Sequence, residues 1–440
     1  MSLSLSENSA SFKEWQITRP LTMDIYFFNW TNPEDINNPD IKPRFVEVGP
    51  YRLSNIREKV NITWNPHNDT VTYKQLLGYY FDETSPGNFS DVITTIDMVA
   101  ISLAQRTKDA FFFVKDSAKF ALMFSEIYMR ATAREMLGGF KHSLVTAANA
   151  LNFLTGENAP DKFGWFYTPN LTVGFDGVFN VKTKAGSDFG TLQSWNYNNV
   201  TSMFKDECGQ VQGSAGEFYP QHLKRDHITY FSADFCRPLE FTYEKDVVIK
   251  DIPSYKYSAS DAIFDNGTKI PKNKCFCTEK CYPSGVMDNS PCRNGVPVFS
   301  SLPHFYYADK SYVDKVEGLN PQKEKHEFYF TLEPEIGVIT STAARLQLNV
   351  LLQPLPDFQL FKRVPELIFP IFWTEQKVDL YDEHASGIRL LLMAPTINKV
   401  FSIVLIVTGL LSISYVSLIM YFNEKRVTKS KLPKVDIPLK

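Results

Sequence analysis

An uncharged run of 23 residues near the carboxyl end constrains the fold more than any other feature of the sequence. It extends from Val400 to Phe422 and contains no charged residue, proline, asparagine or glutamine. As a helix it would be about 34 Å long, enough to cross a bilayer core of about 30 Å. A buried core helix is the alternative, but such helices are rarely apolar on every side over this length. The run therefore predicts a transmembrane helix over 400–422.

The 18 residues that follow the run set its orientation, because six of them are basic and two are acidic. The basic ones are Lys425, Arg426, Lys429, Lys431, Lys434 and Lys440. By the positive-inside rule, 423–440 is predicted as a cytoplasmic tail and 1–399 as an extracellular or luminal ectodomain. Without the tail, the 46 basic and 49 acidic residues become 40 and 47. This acidic balance argues against a nucleic-acid partner.

Seven Asn-x-Ser/Thr sequons support an ectodomain outside the cytosol, because such sites are glycosylated on secreted and luminal surfaces. They are Asn29, Asn61, Asn68, Asn88, Asn170, Asn199 and Asn266. None lies in the tail, although any single sequon can also be an unused surface asparagine. The sequons and the basic tail together predict the same orientation.

The polar start of the chain conflicts with this orientation. Residues 1–20 contain neither a signal peptide nor a first apolar span. Taken literally, a lone span near the carboxyl end describes a tail-anchored protein with a cytosolic body. We expect instead that the natural chain begins earlier, as it would if this sequence were a truncated isoform or gene model.

The pattern of apolar residues changes twice along the chain. Alternation predicts strands over 21–82, and again from residue 163 onward, including 240–260 and 325–375. Between about 90 and 155, proline and glycine nearly vanish and helical spacing begins at Ile93, Ile96, Val99 and Leu103. Further helices are predicted over 117–137 and 143–154. We therefore expect an α+β fold, with a helical insertion in a large antiparallel sheet or barrel.

The helical insertion contains a segment rich in phenylalanine. Packing between helices is one explanation for these aromatic residues, and an apolar ligand-binding patch is the other. The candidate ligand-binding residues are Phe111, Phe112, Phe113, Lys115, Lys119, Phe120, Leu122, Met123 and Phe124. The lysines would hold a carboxylate headgroup by charge.

All six cysteines lie within 208–292. They are Cys208, Cys236, Cys275, Cys277, Cys281 and Cys292. An even number in an outward-facing body predicts three disulfides, whose connectivity the spacing does not determine. The alternative is a zinc site with His222 or His227 as partners, but Cys-x-Cys-x3-Cys does not match the usual zinc knuckles. Cys275 and Cys277 are too close to bond comfortably to each other.

Catalytic motifs are absent from the sequence, which contains no nucleophile elbow, metalloprotease helix, P-loop or dinucleotide fingerprint. His304 has no nucleophile beside it, so we predict a structural, hydrogen-bonded role. Glu47 is predicted to be a buried and paired carboxylate rather than a catalytic acid. We expect no catalytic residue, no metal and no cofactor, and therefore no enzymatic activity.

Several ordered motifs carry a resemblance to a known family. They are Tyr-Phe-Phe-Asn-Trp-Thr-Asn-Pro at 26–33, Glu-Val-Gly-Pro-Tyr at 47–51, Arg-Glu-Met-Leu-Gly at 134–138, Cys-Phe-Cys at 275–277, Gly-Val-Met-Asp at 285–288, Ser-Leu-Pro-His-Phe-Tyr-Tyr-Ala-Asp at 301–309 and Gly-Leu-Asn-Pro at 318–321. From about residue 15 to the end of the apolar run, the chain resembles the class B scavenger receptor family. That family includes fatty acid translocase (platelet glycoprotein IV), the lysosomal integral membrane protein, and insect croquemort, epithelial membrane protein and sensory neuron membrane proteins.

The resemblance implies two membrane spans and a β-barrel-like ectodomain with an apical helical bundle and an internal lipid tunnel. Residues 90–155 would form the bundle, and 208–292 the disulfide region. The implied disulfides are Cys208–Cys275, Cys236–Cys292 and Cys277–Cys281. The chain departs from the family in three ways. It begins just after the family's first span should end, the gap between Cys277 and Cys281 is shorter than in mammalian members, and Leu122 and Phe124 replace a lysine pair implicated in anionic lipid binding.

The leading functional hypothesis is a plasma-membrane receptor and transporter for lipids. Fatty acids, sterols, carotenoids, lipid signals or lipoprotein lipids would bind at the apex and pass through the tunnel. The alternative is a receptor for proteins on apoptotic cells or pathogens, or a trafficking receptor for a luminal enzyme in an endosomal or lysosomal membrane. The tail lacks an acidic dileucine signal, which favours the cell surface. A wide tunnel would favour the first hypothesis, and a flat apolar helix face without a tunnel the second.

Overall fold

The computed structural model describes residues 4–7, 9–150, 160–277 and 280–430. The chain divides into two compact units, Ser2–Leu380 and Tyr381–Lys440. The described strands are β1 (Leu21–Trp30), β2 (Phe45–Asn65), β3 (Thr70–Phe81), β4 (Val92–Ile96), β5 (Tyr128–Thr132), β6 (Val173–Lys182), β7 (Leu192–Trp195), β8 (His227–Ser232), β9 (Arg237–Ile249), β10 (Ile252–Ser258), β11 (Val286–Asp288), β12 (Val298–Ser301), β13 (Tyr329–Glu333), β14 (Val338–Leu352) and β15 (Leu367–Asp379).

The described α-helices are α1 (Ala10–Gln16), α2 (Met98–Thr107), α3 (Phe112–Leu122), α4 (Ala133–Gly138), α5 (Ser143–Ala150), α6 (Lys310–Asp314), α7 (Lys323–His326) and α8 (Asp382–Ser430). Short 3-10 turns lie at Pro33–Asp35, Asp206–Gly209, Pro271–Phe276, Ser290–Cys292, Pro303–Phe305 and Gln359–Phe361. The first unit therefore mixes helices and strands, and the described part of the second unit is dominated by α8.

Eleven antiparallel strands form the path of one sheet, in the order β7-β6-β3-β2-β1-β15-β14-β13-β10-β9-β8. One short segment joins its two edge strands. The Leu192 amide of β7 donates to the Gly213 carbonyl at 2.9 Å, and the Phe231 amide of β8 donates to the Ser214 carbonyl at 2.8 Å. The sheet is thus nearly closed and barrel-like, which confirms the predicted α+β class with a large antiparallel sheet.

The alternation of side chains in β2 explains how it forms part of the wall. Tyr51, Leu53 and Lys59 are buried, while their immediate neighbours are partly exposed, as expected when successive side chains point to opposite faces. The register with β1 shifts at Ile25, where Gly49 has a φ of 127°. A Cβ at Gly49 would collide with the Ile25 carbonyl, so only glycine fits this irregular point.

The largest core cluster joins the sheet to the helical insertion. Phe28 of β1 and Phe369 of β15 belong to the same cluster as Ile101 of α2 and Met136 of α4. Burial of apolar surface is the main stabilising contribution in such a cluster. It anchors the helices of the insertion to the β1 and β15 part of the sheet.

The insertion is not entirely helical, which corrects two predictions. Ile93 and Ile96 lie in β4, and residues 128–132, predicted inside a helix, form β5, which pairs with β4. The β-branched run Val-Ile-Thr-Thr-Ile favours a strand, and the Asp97 side chain then caps α2 by accepting from the Ala100 amide at 2.9 Å. The predicted helix over 143–154 is present up to residue 150, and its remainder lies outside the described residues.

The second unit contains α8, which is continuous although Pro395 lies inside it. Its part Asp382–Arg426 is the one helix among the described residues that is long and apolar enough to cross a membrane. The predicted span 400–422 falls inside this helix. The last ten residues of the predicted tail, 431–440, lie outside the described part of the chain.

Candidate functional site

A group of exposed apolar side chains on and beside α3 is the strongest candidate for a functional surface. We call it the α3 patch, and its members are Phe111, Phe112, Phe113, Phe120, Met123 and Phe124. Each member is at least 53% exposed, whereas large aromatic side chains usually lose most of their contact with water on folding. Grouped exposed apolar side chains mark sites of interaction in many proteins, so the patch is a candidate binding surface.

The spacing of residues along α3 explains why the patch forms. Phe113 and Phe120 are seven residues apart, which places them on one face of α3, and Phe124 follows four residues later in the turn after the helix. Ala118 and Leu122 are buried and lie on the opposite face. The helix thus directs its aromatic side chains to solvent and its small aliphatic side chains to the core. An ordinary surface helix buries its large apolar side chains instead.

Ring contacts organise the patch into two pairs. The ring centroids of Phe111 and Phe112 are 4.5 Å apart, and those of Phe120 and Phe124 are 5.6 Å apart in an edge-to-face arrangement. Both separations fall in the range at which aromatic pairs attract each other. The pairs hold the rings side by side and leave a broad apolar face toward solvent.

Three of the predicted ligand-binding residues differ from this picture. Leu122 is 3% exposed and packs in the main core, so it lies outside the α3 patch. The ammonium of Lys115 lies 3.0 Å from Asp357, and that of Lys119 lies 3.1 Å from Asp116. Lys115 also holds the pKa of the Asp357 carboxyl below its usual range. The two lysines flank the patch as members of surface ion pairs, which are weak enough to exchange partners.

Three disulfides use all six cysteines. They are Cys208–Cys275, Cys236–Cys292 and Cys277–Cys281, the same pairs that the family resemblance implies. The two histidines of the zinc alternative pair with carboxylates instead, His222 with Glu335 and His227 with Asp226. No group of residues able to hold a metal ion occurs among the described residues. The disulfide arrangement therefore leaves no thiolate for zinc.

The predicted glycosylation sites differ in accessibility. The exposed ones are Asn61, Asn68, Asn88 and Asn199. Asn29 and Asn170 are half-buried, and their side-chain carbonyls accept from the amides of Thr94 and Tyr79, each at 2.8 Å. The Asn266 amide nitrogen donates to the Tyr282 carbonyl, which occupies the atom a glycan would modify. The four exposed asparagines are thus the best placed acceptors.

His304 and Glu47 form a hydrogen-bonded pair. His304 Nδ1 accepts from the Asn320 amide at 3.0 Å, so Nε2 carries the proton and donates to Glu47 Oε2 at 2.6 Å. Trp373 Nε1 donates to the same oxygen at 2.8 Å. This matches the predicted structural role of His304, whereas Glu47 is paired but not buried, because its side chain is 35% exposed. Burial acts to raise the Glu47 pKa, but these two hydrogen bonds outweigh it and hold the pKa below its usual value.

A second histidine stacks on this pair. The rings of His304 and His326 are nearly parallel, with centroids 4.4 Å apart, and His326 Nδ1 accepts from the Gln322 amide at 2.9 Å. Burial, and secondly the neighbouring His304, lower the pKa of His326 to about 3. Protonation of His326 at Nδ1 would break its bond to Gln322, so His326 remains neutral at physiological pH.

A group of buried and half-buried polar side chains inside the barrel is not predicted from the sequence. We call it the interior charge cluster, and its members are Asn55, Arg57 and Lys59 of β2, Gln75 of β3, Asp176 of β6, and Glu217. The Lys59 ammonium lies 2.8 Å from Glu217 Oε1, and Gln75 Nε2 donates to Asp176 Oδ2 at 2.8 Å. Asp234, which follows β8, acts on the charge of Arg57 although β8 is not a neighbour of β2. Residues from separated strands therefore meet in the barrel interior.

The interior charge cluster is incompletely paired. Asn55 Oδ1, Arg57 Nε and Asp176 Oδ1 are buried and have no hydrogen-bond partner in the described part of the chain. Burial, and secondly the charge of Asp234, raise the pKa of Asp176 to about 7. The sequence gives only a weak signal for this cluster. The apolar residues Ile56 and Val60 lie on the other face of β2, so the pattern indicates that face as the buried one, rather than the face of Arg57. The barrel wall is thus charged in this region.

The sequence is similar to one known family of proteins over most of its length. The model of the CD36 family matches residues 1–421. Protein peste of Drosophila melanogaster is 35% identical over 420 residues, covering 93% of this chain and 75% of that protein. Scavenger receptor class B member 1 of Rattus norvegicus is 31% identical over 386 residues, covering 84% and 73%. Lysosome membrane protein 2 of Homo sapiens is 28% identical over 392 residues, covering 88% and 80%.

Proposed function

Because this chain belongs to the CD36 family, a family of non-enzymatic receptors in membranes, we propose that it is a membrane receptor that captures lipids and transfers them to the bilayer. The α3 patch is the capture surface. Its ligands are apolar molecules such as fatty acids, sterols, carotenoids, lipid signals or the lipids of lipoproteins. The proposed site of action is the plasma membrane.

One observation carries this proposal, namely the exposure of five large apolar side chains on and just after α3, from Phe112 to Phe124. A folded chain keeps such groups in water only where another apolar surface covers them for part of the time. Burial contributes about 0.8 kcal/mol per CH₂ group of the ligand. A lipid chain that covers the patch therefore supplies enough binding energy without a cofactor or metal.

Transfer through the barrel interior is the second part of the proposal. The nearly closed sheet separates an interior from solvent, and a hydrocarbon chain that enters it is shielded from water. The interior charge cluster sets a polar boundary to such a path, because apolar groups do not displace charges from their partners. We propose that the lipid route follows the parts of the wall without this cluster.

The proposed orientation places 1–399 outside the cytosol and 423–440 inside. It is supported by the basic tail, the helix over Asp382–Arg426 and the four exposed sequons. Treatment of the protein from cells with peptide-N-glycosidase tests it. We expect a shift to higher mobility, which replacement of the four exposed asparagines by glutamine should reduce. An unchanged mobility of the wild-type protein would contradict this orientation.

Ligand preference follows from the charges around the α3 patch. Lys115 and Lys119 already have carboxylate partners, and Phe124 occupies one place of the lysine pair that the family resemblance attributes to mammalian members. We propose that neutral lipids are bound in preference to anionic lipoproteins. The surface variant Met123→Lys/Phe124→Lys should increase binding of oxidised lipoprotein at low salt. Leu122 is unsuitable for this test, because a lysine there would be buried.

The capture surface is tested by uptake measurements in cells. Phe120→Asp places a charge in the α3 patch, and we expect it to reduce uptake of a labelled fatty acid and a neutral sterol several-fold at equal surface expression. Val248→Asp is the matched control, because Val248 is equally exposed but belongs to β9. If Phe120→Asp and Val248→Asp leave uptake at the wild-type level, the α3 patch is not the lipid entrance.

A second candidate function is docking of a protein on the α3 patch. It is favoured by the interior charge cluster, which makes part of the barrel wall unsuited to lipids. The same two variants separate the alternatives. Loss of binding to a protein ligand in Phe120→Asp, with lipid uptake intact, would assign the patch to protein recognition. Loss of lipid uptake in cells without any added protein would assign it to lipid capture.

A further inference from the structure

A small cavity lies beside the Cys208–Cys275 disulfide, on elements that the α3 patch does not use. Its volume is about 120 Å³, and its lining includes Thr229 of β8, Arg237 and Glu240 of β9, and Lys272. A water molecule needs about 10–15 Å³ of such volume. The cavity therefore has room for a polyatomic ligand and polar groups to bind one.

Arg237 is the unusual member of the lining. Its side chain is 4% exposed, and the guanidinium carbon lies 3.1 Å from the centre of the Phe276 ring. Its one hydrogen bond within the described residues is a long one, from Nε to the Pro238 carbonyl at 3.5 Å. Buried arginines are normally paired with a carboxylate, because an unpaired buried charge is strongly unfavourable.

The carboxylate whose charge acts on Arg237 is already engaged. Asp265 is the one residue whose charge opposes the effect of burial on Arg237, and burial lowers the Arg237 pKa to about 9, so the guanidinium is still protonated at neutral pH. The Asp265 carboxylate accepts from the amides of Lys269 at 2.9 Å, Ile270 at 3.0 Å and Gly267 at 3.1 Å. These bonds fix it in its own turn and leave the guanidinium without a direct partner.

We propose that this cavity binds a small oxyanion, a carboxylate or phosphate group, through the guanidinium of Arg237. A guanidinium held over a ring face keeps its in-plane N–H donors available, and their fork matches two oxygens of an oxyanion. Lys272, which also lines the cavity, is held only loosely by Glu240 at 4.0 Å. The bound anion supplies the counter-charge that the chain itself does not provide.

The rim of the cavity limits the charge of the ligand. Glu207 and Glu240 line it and are exposed to solvent, where ions screen their repulsion. They disfavour a doubly charged anion more than a singly charged one. The proposed ligand is thus a singly charged oxyanion, which comes either from a free metabolite or from the headgroup of a lipid.

The experiment uses the full chain in detergent and measures equilibrium binding by calorimetry. The probes are acetate, inorganic phosphate at pH 6, and a water-soluble phosphatidate with short acyl chains. We expect saturable binding of at least one probe, weakened at least about tenfold by Arg237→Gln because a charge-assisted hydrogen bond is lost. Arg225→Gln, which removes an exposed arginine paired with Asp246, should not change affinity. Binding of free anions assigns a metabolite site, and binding of phosphatidate alone assigns a headgroup site.

A second variant keeps the test decisive if Arg237→Gln does not fold. Gln212→Glu places a carboxylate in the lining while retaining Arg237. This internal counter-ion should raise the thermal midpoint of unfolding and weaken the binding of every probe about tenfold. If no probe binds the wild-type protein, or if probe affinity is the same in wild type, Arg237→Gln and Gln212→Glu, the oxyanion site does not exist. Lipid uptake is not involved, so this outcome leaves the receptor function untouched.

Discussion

The α3 patch and the interior charge cluster reverse the usual distribution of side chains in opposite ways. Phe124 in the patch is 78% exposed, while Lys59 in the cluster is 1% exposed. An exposed leucine or a surface lysine requires no explanation, but a grouped exposure of phenylalanines and a grouped burial of charges do. The comparison teaches that this fold departs from the rule both at its surface and in its interior, and that grouped departures of this kind are candidates for functional sites.

The two regions differ in what they contribute to stability. Side chains of the α3 patch touch mainly one another and solvent, so their removal takes little from the folded state. The interior charge cluster holds an ion pair largely out of water, with Lys59 fully buried and the Glu217 side chain 22% exposed, and each partner is favourable only while the other is present. Matched substitutions in the two regions should therefore have effects on unfolding that differ by several kcal/mol.

The largest effect is expected for Lys59→Met. It leaves Glu217 without its partner at 2.8 Å and should lower the free energy of unfolding by about 3–5 kcal/mol. Denaturant titration followed by tryptophan fluorescence measures this change. The double variant Lys59→Met/Glu217→Leu should recover most of the loss, because neither charge is then buried alone. A single variant as stable as wild type would show that the pair is solvated.

A somewhat smaller effect is expected within α3 itself. Leu122→Ala removes a buried side chain and should cost about 2–5 kcal/mol. Phe120→Ala, two residues earlier on the exposed face, should change stability by less than about 0.5 kcal/mol. Thermal unfolding of the two variants in the same detergent compares them directly. Equal destabilisation would mean that the α3 patch is covered in solution.

Local patterns in the sequence were sufficient for several features. The apolar run 400–422 lies inside a continuous helix, as its uncharged, proline-free sequence predicts. The strands predicted over 21–82 are present as β1, β2 and β3, and the ordered motifs identify the family. The phenylalanines of the α3 patch could be named as ligand candidates, although packing between helices explained them equally well. Their exposure required the three-dimensional position of α3.

Other features depend on contacts between distant residues. β5 forms because β4 lies beside it, so the helical spacing of Ile93 and Ile96 was misleading. The burial of Arg57 and Lys59 follows from the closure of the barrel, which brings Glu217 to them. Arg237 gives no local signal either, since its isolation depends on Asp265 being engaged by its own turn. These are tertiary effects, which spacing along one strand does not encode.

The pH dependence of the interior charge cluster gives a third and still smaller effect. The pKa of Asp176 is raised from its ordinary value of 3.8 to about 7 in the folded state. Folding therefore favours the protonated form, and stability is lost as pH rises between these two values. Relative to Asp176→Asn, the wild type should gain about 1–3 kcal/mol as pH falls from 7.5 to 4.5. The thermal midpoints of unfolding of both proteins, measured across this range, give the difference. His326 reduces stability as pH falls, because its pKa is lowered in the folded state, but this effect is the same in both proteins and cancels in the difference. A difference that is independent of pH would place Asp176 in water.

The smallest effect is expected for Lys119→Met, which makes the same chemical change as Lys59→Met at the edge of the α3 patch. Lys119 is partly exposed and pairs with Asp116 one helical turn away, and pairs of this kind contribute about 0–0.5 kcal/mol. Its unfolding midpoint should therefore match wild type. Ligand binding is the more sensitive measurement, because the lysine attracts a fatty-acid carboxylate. At low salt the variant should take up fatty acid a few-fold less well and neutral sterol equally well, and the difference should vanish at high salt, where charges are screened. A destabilisation as large as that of Lys59→Met would contradict the contrast between the two regions. A loss of binding of both ligands that does not depend on salt would show that Lys119 acts through the packing of the patch and not through its charge.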